Sequence, residues 1–302
     1  MRINACAPIA LFVFNRPDIL NDVINALKKN ELSDMSEIFI FSDNAKTEDQ
    51  VKSVKKVREI IKNVTGFKSV NIIERENNYG LSKSIITGIN HVFSYHKNII
   101  VLEDDHITSP KFLKYMNMAL ETFKDEQKIA SISGYSYPTK NKLPDYFFLK
   151  RIECWGWATW SDQWSFFNDD GNYLLNEIKK RKQEKEFDFN NSFSFVKMLE
   201  DQINGLNDSW AIRWDASVFL SDKLNLYPGK SFVQNIGMNG LGKNCGVSND
   251  FDVNLNEALS SFSKLEIKNS SYAWMEYESF YRSLKKSFYK RVLNKVSSLF
   301  YN

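Results

Sequence analysis

In the first hundred residues, short apolar runs alternate with helix-period patterns at least three times, an order that β-α-β units around a parallel sheet produce and few other architectures do. Strands are predicted over 8–14, 37–42, 69–74 and 98–102. Between them, Leu20, Val23, Ile24 and Leu27 share one helical face, as do Val54, Val57, Ile61 and Val64, and then Leu81, Ile85, Ile89 and Val92. Open sheets of this kind hold ligands at the carboxyl ends of their strands. The residues that matter are therefore Asn15 and Arg16, Asp43, the stretch 74–83, and Glu103, Asp104 and Asp105.

After Asp105 the alternation loosens. A helix is expected over 109–123 and a strand over 129–133, followed by an aromatic-rich stretch. Residues 174–204 read as helical but highly charged between Glu177 and Glu186, which suggests a solvated cap. From Ser270 onward, Trp274, Tyr277, Phe280, Tyr281, Leu284, Phe288, Val292 and Val296 interleave with Arg282, Lys285, Lys286, Lys290, Arg291 and Lys295, the pattern of a basic amphipathic helix. Such a tail either lies on an anionic membrane surface or packs its aromatic face on the domain, and the membrane reading is slightly favoured. The organisation expected is thus a nucleotide-binding half over 1–108, an acceptor-binding and catalytic half of the same domain over 109–269, and a helical tail over 270–302.

A chain of 302 residues that is 43% hydrophobic has the material for a full core. Its net charge of +3 is far below that of a protein that coats nucleic acid. Cys6, Cys154 and Cys245 form no C-x-x-C pair and have no zinc spacing with His91, His96 or His106, so a reducing, cytoplasmic setting without structural zinc is expected. The apolar run 7–14 reads as a buried first strand and not a signal peptide. No apolar stretch reaches the roughly 20 residues that span a bilayer, so any membrane contact should be peripheral, at the inner face of the cytoplasmic membrane.

Glu103, Asp104 and Asp105 stand together at the exit of an apolar strand, where their repulsion is costly unless a positive charge sits among them. A divalent Mn²⁺ or Mg²⁺ answers that need, and such ions complete their shells with water and substrate phosphates. The bland alternative is an acidic turn capping the next helix. Context favours the ion: neither a dinucleotide glycine fingerprint nor a G-x-x-x-x-G-K-[ST] loop occurs, and phosphates without a glycine cradle need a metal.

Six of the seven tryptophans (Trp155, Trp157, Trp160, Trp164, Trp210 and Trp214) fall within about sixty residues. Most should fill the core; Trp155, Trp157 and Trp210 are the candidates for stacking on an acceptor sugar. Asp208 and Asp215 lie in an apolar setting that suits a general base, with Asp208 first, Asp215 second and Asp201 third. For each, a helix cap or an ion pair with Arg213 is the competing role.

In order along the chain, F-N-R-P (Phe14 to Pro17), F-S-D (Phe41 to Asp43), E-R-E-N-N-Y-G-L-S-K (Glu74 to Lys83), V-L-E-D-D (Val101 to Asp105), C-W-G-W-A-T-W (Cys154 to Trp160), D-S-W (Asp208 to Trp210) and Y-P-G-K (Tyr227 to Lys230) through N-I-G (Asn235 to Gly237) resemble the GT-A-fold glycosyltransferases. The likeness spans about residues 7–245. It is greatest to bacterial relatives of N-acetylglucosaminyltransferase I and to family 2 enzymes of surface-polysaccharide synthesis. The resemblance implies an α/β, Rossmann-like mixed and mostly parallel sheet flanked by helices, with a C-terminal helical extension. It further implies an inverting, metal-dependent transferase that moves a sugar from a UDP-sugar, UDP-GlcNAc or another hexose donor, to a hydroxyl of a glycan or lipid-linked glycan. On the same grounds Arg16 and Asp43 contact the uridine, Asp104 the ribose or diphosphate, Asp105 the metal with Glu103 in support, Lys83 the phosphates, and Asp208 is the base. Where the relatives have an acidic residue and a histidine after Asn-Ile-Gly, this chain has the stretch Met238 to Cys245. The other readings are a nucleotidyltransferase, which places a glycine- and lysine-rich loop after its first strand, and a carbohydrate-binding scaffold without catalysis.

Overall fold

The computed structural model describes residues 5–237, 248–262 and 265–284. The predicted alternation folds as β1 (Ile9–Val13), α1 (Pro17–Lys28), β2 (Glu37–Ser42), α2 (Glu48–Ile61), β3 (Ser69–Glu74), α3 (Leu81–Phe93) and β4 (Asn98–Glu103). There follow β5 (His106–Thr108), α4 (Phe112–Thr122), β6 (Ile129–Ser133), β7 (Tyr146–Leu149), β8 (Trp157–Trp160), α5 (Ser161–Trp164), α6 (Gly171–Lys180), α7 (Glu184–Phe187), α8 (Phe195–Ile203), α9 (Trp210–Leu220), β9 (Leu224–Pro228) and β10 (Val233–Asn235).

One sheet runs through the body in the order β3-β2-β1-β4-β8-β6-β9-β7, and β10 pairs with β5 in a small ribbon. β3, β2, β1 and β4 are parallel neighbours, β8 is antiparallel to β4 and β6, and β7 is antiparallel to β9. The architecture is therefore α/β with a mixed, mostly parallel sheet.

Strand alternation explains why both faces are covered. In β1, Ile9, Leu11 and Val13 pack with Leu20, Val23 and Leu27 of α1 and with Val57 and Ile61 of α2, whereas Ala10 and Phe12 face Ile85, Ile89 and Val92 of α3. A strand buried on both sides has no polar face, which is why β1 reads as a continuous apolar run. Each large apolar side chain so buried contributes about 1.5–3 kcal/mol.

Residues 174–204 are helical as expected, in three pieces, because Lys182, Phe189, Asn190 and Asn191 adopt left-handed backbone between them. The tail is part of the body: residues 271–284 are helical, and Trp274, Tyr277, Phe280 and Tyr281 are buried against Phe147, Phe189 and Tyr227. The membrane reading falls on residues from 285 onward, outside those described. Among the described residues no helix is long and apolar enough to cross a membrane.

Candidate active site

The parallel strands β1, β2 and β4 end at one edge of the sheet, and the residues just past them converge there. Because β1 lies beside β4, the Phe14 N–H donates to Asp104 Oδ2 at 3.1 Å. The same neighbourhood brings Arg16 across both acids: Nη1 donates to Asp105 Oδ2 at 2.8 Å, and Nη2 pairs with Asp104 Oδ1. Arg16 was expected on the uridine; here it forks over two carboxylates, and it is the positive charge that the acid cluster requires. Burial works against that charge, but Asp104 and Asp105 more than offset it and hold the guanidinium above its usual pKa.

Burial favours the uncharged form at two of the three acids, Glu103 and Asp104. Burial, reinforced by Asp105, pushes Glu103 up to about 8. Burial also raises Asp104 to about 6 despite Arg16. Asp105 is buried, and its Oδ1 has no hydrogen-bond partner. Beside it stands His106, unremarked in the sequence except for lacking zinc spacing. Its Nδ1 accepts the Glu103 N–H at 3.1 Å, so the neutral ring carries its proton on Nε2, 3.5 Å from Asp105 Oδ1. Burial lowers His106 to about 4, which keeps the ring neutral near this site.

Gly237 closes the cluster. A Cβ there would lie 2.2 Å from Asp105 Oδ2 and 3.0 Å from Arg16 Nη1, inside contact distance of both partners. Gly237→Ala should push the ion pair apart and cost about 1–3 kcal/mol, as overpacking does. Thermal denaturation checks this, and an unchanged Tm would show that the chain yields there freely.

Asp43 and Asp208 serve the segment that enters α3. Asp43 Oδ1 accepts the Asn44 and Tyr79 N–H groups at 2.9 and 2.8 Å, and Oδ2 accepts Gly80 N–H and Asn78 Nδ2 at 3.0 and 3.2 Å. Both oxygens thus hold the loop that enters α3. Gly80 is the N-cap of α3 and has no side chain to cap with; Asp208 supplies the function from far along the chain, its Oδ2 accepting the Ser82 N–H at 3.3 Å. Asp208 itself is exposed. Lys83 is exposed in the first turn of α3, its Nζ 4.5 Å from the Tyr79 ring centre.

Residues 9–194 match the family model for glycosyl transferase family 2. The chain belongs to this family. Among solved structures, it is similar to the mannosyltransferase PcManGT from Pyrobaculum calidifontis in complex with GDP-Man and Mn²⁺, with 8% identity over 73% of this chain and 70% of that one and a TM-score of 0.42. It is also similar to S. aureus TarS 1–349, with 11% identity over 57% of this chain and 49% of that one and a TM-score of 0.34. No curated protein matches the chain in sequence.

In this family 2 glycosyltransferase, several other sequence candidates are packing residues. Trp157 and Trp210 are buried and stack on each other at 5.4 Å between ring centres, beside Trp164 and Trp214. Their burial in this four-tryptophan cluster leaves neither a face for an acceptor. Trp155 is half-buried and is the one of the three that keeps surface. Asp215 is buried and paired with Arg151, not with Arg213; Arg213 instead pairs with Asp169 and donates to Ser82 Oγ. A carboxylate so matched cannot serve as a free base, which removes the second choice. Asp201 sits on α8 in an ion pair with Lys197. The residue that sequence reasoning passed over is Glu153, which burial pushes up to about 7 against the pull of Tyr137 and of two backbone N–H groups. Only its place two residues before Trp155 could have drawn attention to it.

Proposed function

We propose that this family 2 glycosyltransferase moves a hexose from a UDP-sugar, with inversion, to a hydroxyl of a glycan or lipid-linked glycan in bacterial surface-polysaccharide synthesis. The observation that carries the reading is Asp105 Oδ1, a buried acceptor without a partner at the carboxyl edge of the sheet, next to the charge of Arg16. A hard divalent ion suits such an oxygen. Among the described residues no group of three His, Cys, Asp or Glu is arranged to hold a metal, so an ion at Asp105 would need the donor's own phosphates among its ligands. Asp105 would hold it, and Mn²⁺ or Mg²⁺ so bound supplies a Lewis acid for the charge on the departing diphosphate. Arg16, partly exposed above the cluster, adds positive charge toward the same phosphates, and Lys83 extends it from α3.

Transfer also needs a proton acceptor. The acceptor hydroxyl gives its proton to Asp208, its oxygen bonds to the anomeric carbon, and the bond from that carbon to the diphosphate breaks, releasing UDP. Exposure leaves Asp208 reachable while its bond to Ser82 fixes it. Asp208→Asn keeps an oxygen for the Ser82 N–H but cannot take a proton. Turnover should fall by about 10²–10⁴-fold with UDP affinity intact. Turnover close to wild type would exclude Asp208 as the base.

Calorimetric titration tests the donor assignment directly. UDP should bind with a requirement for Mn²⁺ or Mg²⁺. A preference for a nucleoside triphosphate would favour a nucleotidyltransferase, and sugar binding without UDP binding a scaffold.

A further inference from the structure

The loop from β7 to β8, residues 150–156, reaches the same edge as Asp105. Trp157, the first residue of β8, is in register with Val101 of β4 and with Ser133 of β6. β8 runs against β4, so residues before Trp157 lie beside those after Val101, which are Leu102 and Glu103. Gly156 bears this out: at φ +62° its backbone comes so close that a Cβ would sit 3.2 Å from Leu102 Cδ2.

Much of the surrounding structure holds this loop in one shape. Asp215 Oδ1 accepts both Arg151 Nε and the Ile152 N–H at 3.0 Å. Arg151 donates to the Phe187 carbonyl, and its guanidinium lies 4.3 Å from the Phe187 ring centre and 4.2 Å from that of Phe195. The Glu153 carbonyl accepts Ser133 Oγ at 2.7 Å. Its carboxylate is oriented in turn: Oε1 accepts the Cys154 and Trp155 N–H groups at 2.9 and 3.3 Å, and Oε2 accepts the Tyr137 hydroxyl. Glu153 and Trp155 are each half-buried, and the Trp155 ring meets Tyr135 edge-on at 4.7 Å.

A preoriented carboxylate beside a rigid aromatic ring is the combination that holds a sugar, the ring taking its apolar face and the carboxylate a hydroxyl. We propose that Glu153 is an acceptor-binding residue, its carboxylate accepting a hydrogen bond from a hydroxyl of an acceptor sugar that lies against Trp155, on the side of the acid cluster formed by the β7–β8 loop. This assignment rests on the transferase reading. It places the acceptor between that loop and the donor, with Asp208 approaching from the α3 side.

The 302-residue chain is assayed with the UDP-sugar it turns over, a panel of p-nitrophenyl monosaccharides as acceptor probes, and UDP with Mn²⁺ for donor affinity. Glu153→Gln should raise the acceptor KM by about 10- to 100-fold, the value of a charge-assisted hydrogen bond, with UDP affinity unchanged. Should Glu153→Gln fold poorly, Glu153→Asp keeps the charge on a shorter stem and should show the same shift in acceptor KM with UDP affinity unchanged. An acceptor KM equal to wild type in a folded variant overturns the assignment and leaves the transferase reading standing, as does a loss of UDP affinity in parallel. A wild type that binds UDP but uses no acceptor in the panel overturns it too, and one that neither binds UDP nor uses an acceptor defeats the transferase reading with it.

Discussion

Asp105→Asn is expected to lower transfer by on the order of 10²–10³-fold, the scale for removing one preorganised electrostatic partner of a developing charge. The substitution is nearly isosteric, so the new amide still offers Arg16 an oxygen, and Asp104 still pairs with the other guanidinium nitrogen. What disappears is a negative charge whose second oxygen has no hydrogen-bond partner inside the protein. The loss should show first in the metal dependence of UDP binding, with Tm close to wild type. If calorimetry finds UDP binding to Asp105→Asn with the wild-type Mn²⁺ requirement, the ion is not seated at this residue.

Arg151→Ala should produce the largest loss of stability. Breaking a buried ion pair from one side leaves the partner charged and unmatched, at about 3–5 kcal/mol, a large share of the roughly 5–15 kcal/mol that holds a domain folded. Here the stranded group is Asp215, buried in α9, and the Phe187 carbonyl loses its donor as well. The variant should melt on the order of 10 °C below wild type in calorimetry. Replacing both partners with leucine should recover part of the loss, since an apolar pair leaves no uncompensated charge. A single variant as stable as wild type would mean that water reaches Asp215 and that the β7–β8 loop is braced by other contacts.

The strands and helices of the first hundred residues were legible because each carries its period in adjacent residues: Ile9 to Val13 apolar throughout, Leu20, Val23, Ile24 and Leu27 on one helical face. β7 and β8 were not. Each has four residues buried without alternation, so neither a period of two nor one of 3.6 can show. Part of the site was legible for a different reason, since Glu103, Asp104 and Asp105 follow a strand and strand ends are where such sheets bind. That Arg16 would bridge Asp104 and Asp105 was not, because it follows a different strand.

The chain's local chemistry thus settled which segments form the sheet, which faces they bury, and that acids crowd its carboxyl edge. Strand order decided the rest. Arg16 meets Asp104 and Asp105 only because β1 lies against β4, Asp215 chose Arg151 over the nearby Arg213, and Trp157 and Trp210 turned inward on each other. Pairing between side chains tens of residues apart is a property of distance in space, and no pattern read along the chain contains that distance.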